Sequence, residues 1–486
     1  MTGQDTILLR RYLSSGPHQP RRDRSLPGIA DIDLLALPER QVAEQAIAVL
    51  AGPVLQRVFP ILNGRLVTET IEAAYGAVVG DGPSVKQLSA TACLFALLAV
   101  MSLLSRKSAA ATSDGAIFTS KAESLLSGVG GFASLDGLQA YLLLHQYYRV
   151  LGEHDTDSIY SACRMLCLLR GHVQGAAVIS TVTSSDSARI AAKHVRELFW
   201  TCYIFDKDVA LATGQPPILA DEYCDMSNLE DFDSISSSDA VNMSVMPDDI
   251  AWQKLVFLLP TDSQIGPLKD KIFRLLYSGS GLAVSDSELL TRIRLLDDDL
   301  ESWRVSVRAV VRPALSRRSR HGSIADPYDS LVAARLQLDY NYLVVIIHST
   351  VRRFGSGVLP EDLHGVMHSS IDLTLEASRC TIHLMRGPES DEGETWHDLF
   401  QLGVAAMALF VNILVHPMTK QATSDLEWLG VAVLVASRTV QNGCFSQNET
   451  SHAKRMGDFI EELARLAERA IVVAAVNNAD GDDHIR

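Results

Sequence analysis

Residues 184–225 read SSDSARIAAKHVRELFWTCYIFDKDVALATGQPPILADEYCD, and this stretch decides the fold. Val195, Leu198, Phe199, Cys202, Tyr203 and Val209 recur at three- and four-residue spacing, the apolar stripe of an amphipathic helix. Ser184 to Asp186 supply a cap at its start, and Gly214 followed by Pro216 and Pro217 supplies the stop. On the same helical wheel Asp206 falls on the apolar stripe, four residues after Cys202 and three after Tyr203. A buried carboxylate is costly unless it is paired or protonated. Asp206 is therefore expected to take hydrogen bonds or an ion pair from a neighbouring helix or from the loop after Gly214. Its expected role is a structural lock rather than a catalytic acid, because no partner acid, base or metal ligand lies nearby in sequence.

The same periodicity extends outward on both sides. Residues 37–62 begin with Pro38, favourable in a first turn, and place Val42, Ala46, Val49 and Leu50 on one helical face. Residues 135–151 and 158–169, with GEHDTD between them, predict a pair of helices joined by a turn. No second copy of this pair follows at a fixed period, so a solenoid is not supported. Residues 285–303 are the best-marked helix: Ser285 and Glu288 form a capping box, and Leu289, Ile293, Leu296, Leu300 and Trp303 line one side. Residues 331–351 and 395–415 are apolar almost all round and predict buried helices. No strand alternation appears. The expected fold is all-α, one large helical domain with acidic and basic inter-helix loops.

Composition agrees. The 486 residues are 47% hydrophobic, 21% charged and only 6% aromatic, the profile of a folded helical protein. With 43 Lys and Arg against 58 Asp and Glu the net charge is -15, which repels nucleic-acid phosphate over the chain as a whole. The seven cysteines are an odd number scattered through mostly apolar surroundings, so a disulfide framework is not expected. The first residues do not read as a secretory signal, and the longest apolar runs, 93–104 and 404–415, fall short of the length expected of a membrane span. Residues 1–36 carry Arg10, Arg11, Arg21, Arg22 and Arg24 among Pro, Ser and Gly, and read as a flexible arm. Residues 221–249 hold nine acidic residues and no Lys or Arg, a solvated loop. Residues 312–328 contain Arg312, Arg317, Arg318 and Arg320, a basic loop suited to nuclear import, to phosphate contact or simply to solvent.

No enzyme motif emerges. The chain has no HExxH, no Walker-type loop, no strand-borne GxGxxG and no GxSxG elbow. GVGGF at 128–132 reads as a turn. Cys163 and Cys167 share a helix face among leucines and read as two buried thiols, and His348 within VVIIHST reads as a hydrogen-bonded core histidine. No catalytic, cofactor-binding or metal-ligating residue is therefore assigned.

The string RELFWTCYIFDKDVALATGQPP resembles the signature of the fungal-specific transcription factor domain, the helical regulatory region found behind binuclear zinc-cluster DNA-binding modules. Arg196, Leu198, Phe199, Trp200, Tyr203, Asp206, Gly214 and Pro216 match that signature, and Asp221 and Glu222 begin its acidic segment. Lys207 and Gln215 stand where Arg is usual. The resemblance also takes in residues 37–63, the helix pair at 141–172, and three downstream stretches: LLDDDLESWRVSV, LQLDYNYLVVIIHSTVRR and LFQLGVAAMALFVNILVHP. It thus spans about residues 37–440, and it divides the chain into an arm (1–36), the regulatory domain (37–445) and a C-terminal helix with a polar tail (446–486).

One departure limits what the resemblance implies. A zinc cluster needs six closely spaced thiolates, yet no cysteine precedes Cys93. These residues cannot build that module, so zinc and direct base reading do not carry over, and zinc is expected only if a six-cysteine segment lies upstream of Met1. The resemblance implies a nuclear regulator of gene expression, with a metabolic or secondary-metabolite gene set as the expected target class. It would reach DNA only indirectly, through other transcription regulators or as a homo- or heterodimer, with a small-molecule effector as a further expectation and no membrane. The competing readings are a helical metabolite-binding protein or enzyme that reuses the fold, and a truncated zinc-cluster factor.

Overall fold

The computed structural model describes residues 34–50, 60–77, 82–104, 112–129, 131–151, 156–173, 186–227, 262–316, 324, 326–354, 361–386, 397–442 and 451–483. Among these residues there are helices and no strand, as the all-α expectation requires. Contacts group them into two compact units, one ending at Asp270 and the other starting at Lys271. The arginines of the N-terminal arm, Arg317, Arg318, Arg320 and most of the acidic loop after Ser227 lie outside the described residues.

The N-terminal unit contains α1 (Arg40–Leu50), α2 (Val67–Ala74), α3 (Val85–Leu104), α4 (Thr112–Val129), α5 (Leu135–Val150), α6 (Thr156–Leu168), α7 (Asp186–Thr213) and most of α8 (Ile265–Ile272). Its centre is α3, buried on every side from Ala90 to Val100 and packed against α2, α4 and α5. α5 packs on α6, and α6 on α7. Of the expected face of α1, Ala46 is covered, together with Ala43 and Ile47, while Val42 is exposed; the side chains of Val49 and Leu50 lie outside the described residues. The helix begins at Arg40 rather than Pro38, and exposed Arg40 pairs with Glu44 on its own helix at 2.7 Å and with Glu72 of α2 at 2.6 Å. The turn at 60–62 docks through one carbonyl. Ile61 O accepts from Gln139 Nε2 of α5 at 3.0 Å and lies 3.1 Å from His194 Nε2 of α7.

The C-terminal unit begins with a π-helical turn at Phe273–Tyr277 and continues through α9 (Gly279–Leu282), α10 (Asp286–Ser306), α11 (Pro327–His348), α12 (Glu361–Arg386), α13 (His397–Val415), α14 (Lys420–Asn442) and α15 (Ser451–Asp483). α10 forms as predicted, with Leu289, Ile293, Leu296, Leu300 and Trp303 buried. Only half of its capping box is made. Ser285 Oγ accepts from Glu288 N, but the Glu288 carboxylate takes Arg292 Nε at 2.8 Å instead of turning back. His348 is buried between Ser370 Oγ at 3.3 Å and Asp297 Oδ1 at 3.2 Å, a hydrogen-bonded core histidine. Arg312 closes its own turn by donating to the carbonyls of Val305 and Val307. The helix drawn apart from the domain in sequence, α15, buries Ala453, Met456, Ile460, Leu463 and Ala467 in one core with α12, α13 and α14.

Two helical stretches, Val85–Leu103 and Tyr328–Arg353, are long and apolar enough to cross a membrane, contrary to the reading of the apolar runs alone. The difference arises because short polar residues such as Ser89 and Thr91 extend the apolar run of α3 without making it hydrophilic. Both stretches are mostly buried against protein, the environment of a core helix.

A buried ionic group holds the second core together. The Asp425 carboxylate on α14 accepts from Arg379 Nε of α12 at 2.8 Å and Nη2 at 3.1 Å, from Asn412 Nδ2 of α13 at 3.2 Å and from Gln421 Nε2 at 3.1 Å. Three helices thus share one fully buried acid. Asp425→Ala takes from the Arg379 guanidinium its buried bidentate partner, leaving it only Glu376 at 3.5 Å on the same helix, and is expected to lower stability by about 3 kcal/mol. Denaturant unfolding followed by circular dichroism measures this loss.

Candidate functional site

α7 carries the signature residues, and burial follows the predicted stripe. Val195, Leu198, Phe199, Cys202, Tyr203, Asp206 and Val209 are all buried. The helix ends at Thr213, where Gly214 adopts φ +75° and its N–H closes on Ala210 O at 2.8 Å. A left-handed residue in that place turns the chain back over the helix, and glycine does so without a Cβ clash. Pro216 and Pro217 then stiffen the return. Residues 218 and 219 pass directly above Asp206.

There the carboxylate is met by two backbone amides. Ile218 N donates to Asp206 Oδ1 and Leu219 N to Asp206 Oδ2, each at 2.9 Å. Beside them the Lys207 side chain, also fully buried, brings its Nζ to 3.6 Å from Asp206 Oδ2 and 2.9 Å from Asp270 Oδ1 on α8, and donates to Leu219 O. The same ammonium lies 4.7 Å from the centre of the Tyr203 ring, whose hydroxyl donates to Asp221 Oδ1 at 2.6 Å. One turn outward, Lys269 of α8 pairs with Asp208 at 2.6 Å. Burial pushes the Asp206 carboxyl above the ordinary carboxylate range, although Lys207 and the two amides draw it down. Burial, helped by Asp221, also raises the Tyr203 phenol.

Arg196 begins a second set of contacts. Its guanidinium donates to Gly171 O at 3.2 Å, to Ser227 O at 3.1 Å and to Asp225 O, tying the turn after α6 to the segment after the short 3-10 helix Asp221–Tyr223. The same cation stacks 4.4 Å from the Phe199 ring and 5.4 Å from Trp200. Phe199, Trp200 and Tyr203 pack edge-on or tilted with centroids 4.8–6.0 Å apart. Leu198 is fully buried in the same core. Gly266 of α8 abuts Tyr203: a Cβ there would lie 2.8 Å from Tyr203 Cε1. Pro216 stands at the edge, its carbonyl 3.5 Å from the Tyr160 hydroxyl.

The eight signature residues therefore form one constellation rather than eight separate features. Sequence reasoning missed Lys207 and Asp270. Lys207 follows Asp206 directly, and its place on the wheel beside the apolar stripe was the available signal; nothing marked Asp270. Of the thiols on α6, Cys163 is buried and donates toward Cys202 O at 3.9 Å, while Cys167 is only partly covered, correcting the expectation of two buried thiols. Burial pushes the Cys224 thiol up to about 11. Asp206, Lys207 and Arg196 each hold backbone groups. Among the described residues no three His, Cys, Asp or Glu converge as metal ligands.

Comparison with known proteins gives the family. The model of the fungal specific transcription factor domain matches residues 56–304, just over half of the chain, and the chain belongs to that family. The matched span is shorter than the 37–440 of the sequence resemblance. Two curated relatives are each described as an ABC-transporter-regulating transcription factor. One, from Aspergillus oryzae (strain ATCC 42149 / RIB 40), is 28% identical over 291 residues, covering 56% of this chain and 30% of the relative. The other, from Aspergillus fumigatus (strain ATCC MYA-4609 / CBS 101355 / FGSC A1100 / Af293), is 28% identical over 286 residues with the same coverage. The chain thus spans under a third of the length of these relatives. No solved structure matches it.

Asp206→Ala leaves the buried Leu219 amide and the part-buried Ile218 amide without acceptors and removes one of the partners of Lys207, so it is expected to cost about 3 kcal/mol. A melting temperature equal to wild type contradicts this. The pH dependence has a definite sign. A folded-state pKa above the unfolded value means the native chain holds the proton more tightly. The stabilisation from this group is then complete below about pH 4 and is lost as pH rises through the folded value. Stability of wild type relative to non-titrating Asp206→Asn should accordingly fall as pH increases over that window. Gly214→Ala, forced into φ +75°, should lose roughly 1–2 kcal/mol in the same assay.

Proposed function

We propose that the chain is the regulatory region of a fungal transcription regulator, acting in the nucleus by binding rather than by catalysis. The observation that carries this reading is the intact signature constellation around Asp206 and Arg196, lying within the span matched by the family. DNA is reached indirectly, through a zinc-cluster module on a partner or on a longer product of the same gene. The partners are other transcription regulators or a second copy, and a small-molecule effector modulates the complex.

The names of the two relatives suggest the target class. Genes for ABC transporters are the first set to examine, with metabolic and secondary-metabolite genes as the broader set. In the source fungus, a fluorescent fusion of the full chain is expected in nuclei, and its deletion is expected to change transcript levels of transporter or metabolic genes. Exclusion from nuclei together with an unchanged transcript profile contradicts the proposal. Asp206→Ala should give the deletion phenotype through loss of folded protein, seen as reduced abundance on immunoblots.

A further inference from the structure

Two contacts set the register of α5 against α7. At one, Gln139 Nε2 of α5 lies 3.2 Å from His194 Nε2 of α7. Further along both helices, the centre of the Phe205 ring of α7 lies 5.1 Å from that of the His145 ring and 4.4 Å from the Arg149 guanidinium of α5. Residue numbers rise together through these contacts, so the two helices run in the same direction, and α6 packs on both.

Between the two contacts each helix buries one polar side chain. Gln146 follows Gln139 by seven residues and Thr201 follows His194 by seven, which returns each to the face already in contact. Both side chains belong to residues that are 0% exposed. Among the described residues, Gln146 Nε2, Gln146 Oε1 and Thr201 Oγ1 have no hydrogen-bond partner. A helical threonine can satisfy its hydroxyl on the carbonyl four residues back, as Thr119 and Thr381 do, but Thr201 does not. Buried amides and hydroxyls in this state are rare in folded proteins, and two of them on facing stripes call for a partner from outside the chain.

We propose that Gln146 and Thr201 form a binding site, in the seam between α5 and α7, for a small uncharged amide on an apolar body, such as a lactam. The proposal rests on the reading that a small-molecule effector acts on the chain, and it supplies that effector's chemical class. Gln146 offers a donor and an acceptor side by side, and Thr201 adds either. A carboxylate only accepts, and it would set its oxygens against Gln146 Oε1. A cation would meet Arg149, one turn further along α5. An amide held edge to edge with Gln146 donates its N–H to Oε1 and accepts from Nε2 through its carbonyl, where the Thr201 hydroxyl can donate as well. Leu142 and Leu198 stand one turn before Gln146 and Thr201 and are fully buried, so the rest of the ligand is apolar.

The test titrates the full chain with ε-caprolactam and with ε-caprolactone, rings of equal size that differ in the N–H. Isothermal titration calorimetry should show the lactam binding about tenfold or more tightly than the lactone, because the lactone leaves Gln146 Oε1 without a donor. The lactam should also raise the melting temperature in a concentration-dependent way. Gln146→Met and Thr201→Val keep similar shapes without the polar atoms. Each should weaken lactam binding by about tenfold or more, yet melt at or above the wild-type temperature without ligand, because a buried polar group with no partner costs stability. Equal affinity for lactam and lactone overturns the proposal, as does wild-type lactam affinity in both variants. A lower melting temperature in both variants without ligand assigns the pair to an ordered internal water and overturns it too. Lactam binding in a protein that fails the nuclear and transcript tests leaves the site standing and removes the transcription reading alone; a protein that passes those tests and binds no lactam removes the site alone.

Discussion

A carboxylate shut away from water two turns before the end of a 28-residue helix has to be answered by its surroundings, and Asp206 is answered mostly by backbone. Two successive amides, those of Ile218 and Leu219, point down at its two oxygens, and they can do so only because Gly214 reverses the chain four residues earlier. Lys207 completes the arrangement by bridging the acid, the Leu219 carbonyl and Asp270. The helix, its return loop and α8 are thereby fixed in a single register. A hydrophobic contact is non-directional and would tolerate a sliding loop; a buried acid with two aimed donors does not. Arg196 repeats the device with opposite charge, using one guanidinium to hold three carbonyls from two segments.

The C-terminal unit is organised by the same physics with different residues. Asp425 gathers an arginine and two amide side chains from three helices, again at full burial. Both units therefore join otherwise apolar helices at a few costly, directional points. Such points make the packing specific, and they make single substitutions there disproportionately damaging. A scaffold of this kind suits a protein whose surface has to be presented in one arrangement to its partners.

The stripe of α7 and the face of α10 were readable because apolar residues at helical spacing leave few alternatives, and His348 was readable because a lone histidine in an aliphatic run must find hydrogen bonds. Asp206 was readable as a problem, an acid on an apolar stripe, and the loop after Gly214 as one source of the answer. Lys207 was not recognised, since a lysine beside an aspartate reads as solvated unless a third partner such as Asp270 is known, and Asp270 is 63 residues away. The face of α1 was readable only in part: Ala46 is covered as its spacing implies, but Val42 faces water while Ala43 and Ile47 are covered. The half-made capping box of α10 shows competition at short range, with Arg292 outbidding the backbone for Glu288.

The function assigned to the chain depends on the signature being a lock on backbone and not a reactive site. Amide hydrogen exchange resolved at Ile218 and Leu219 tests this most directly. The account predicts that both amides are as strongly protected as the central amides of α7 in wild type. In Asp206→Ala they should exchange at loop rates, while the folded fraction keeps α7 protected. Rapid exchange at these two amides in the wild-type protein, or protection that survives loss of the carboxylate, would contradict it.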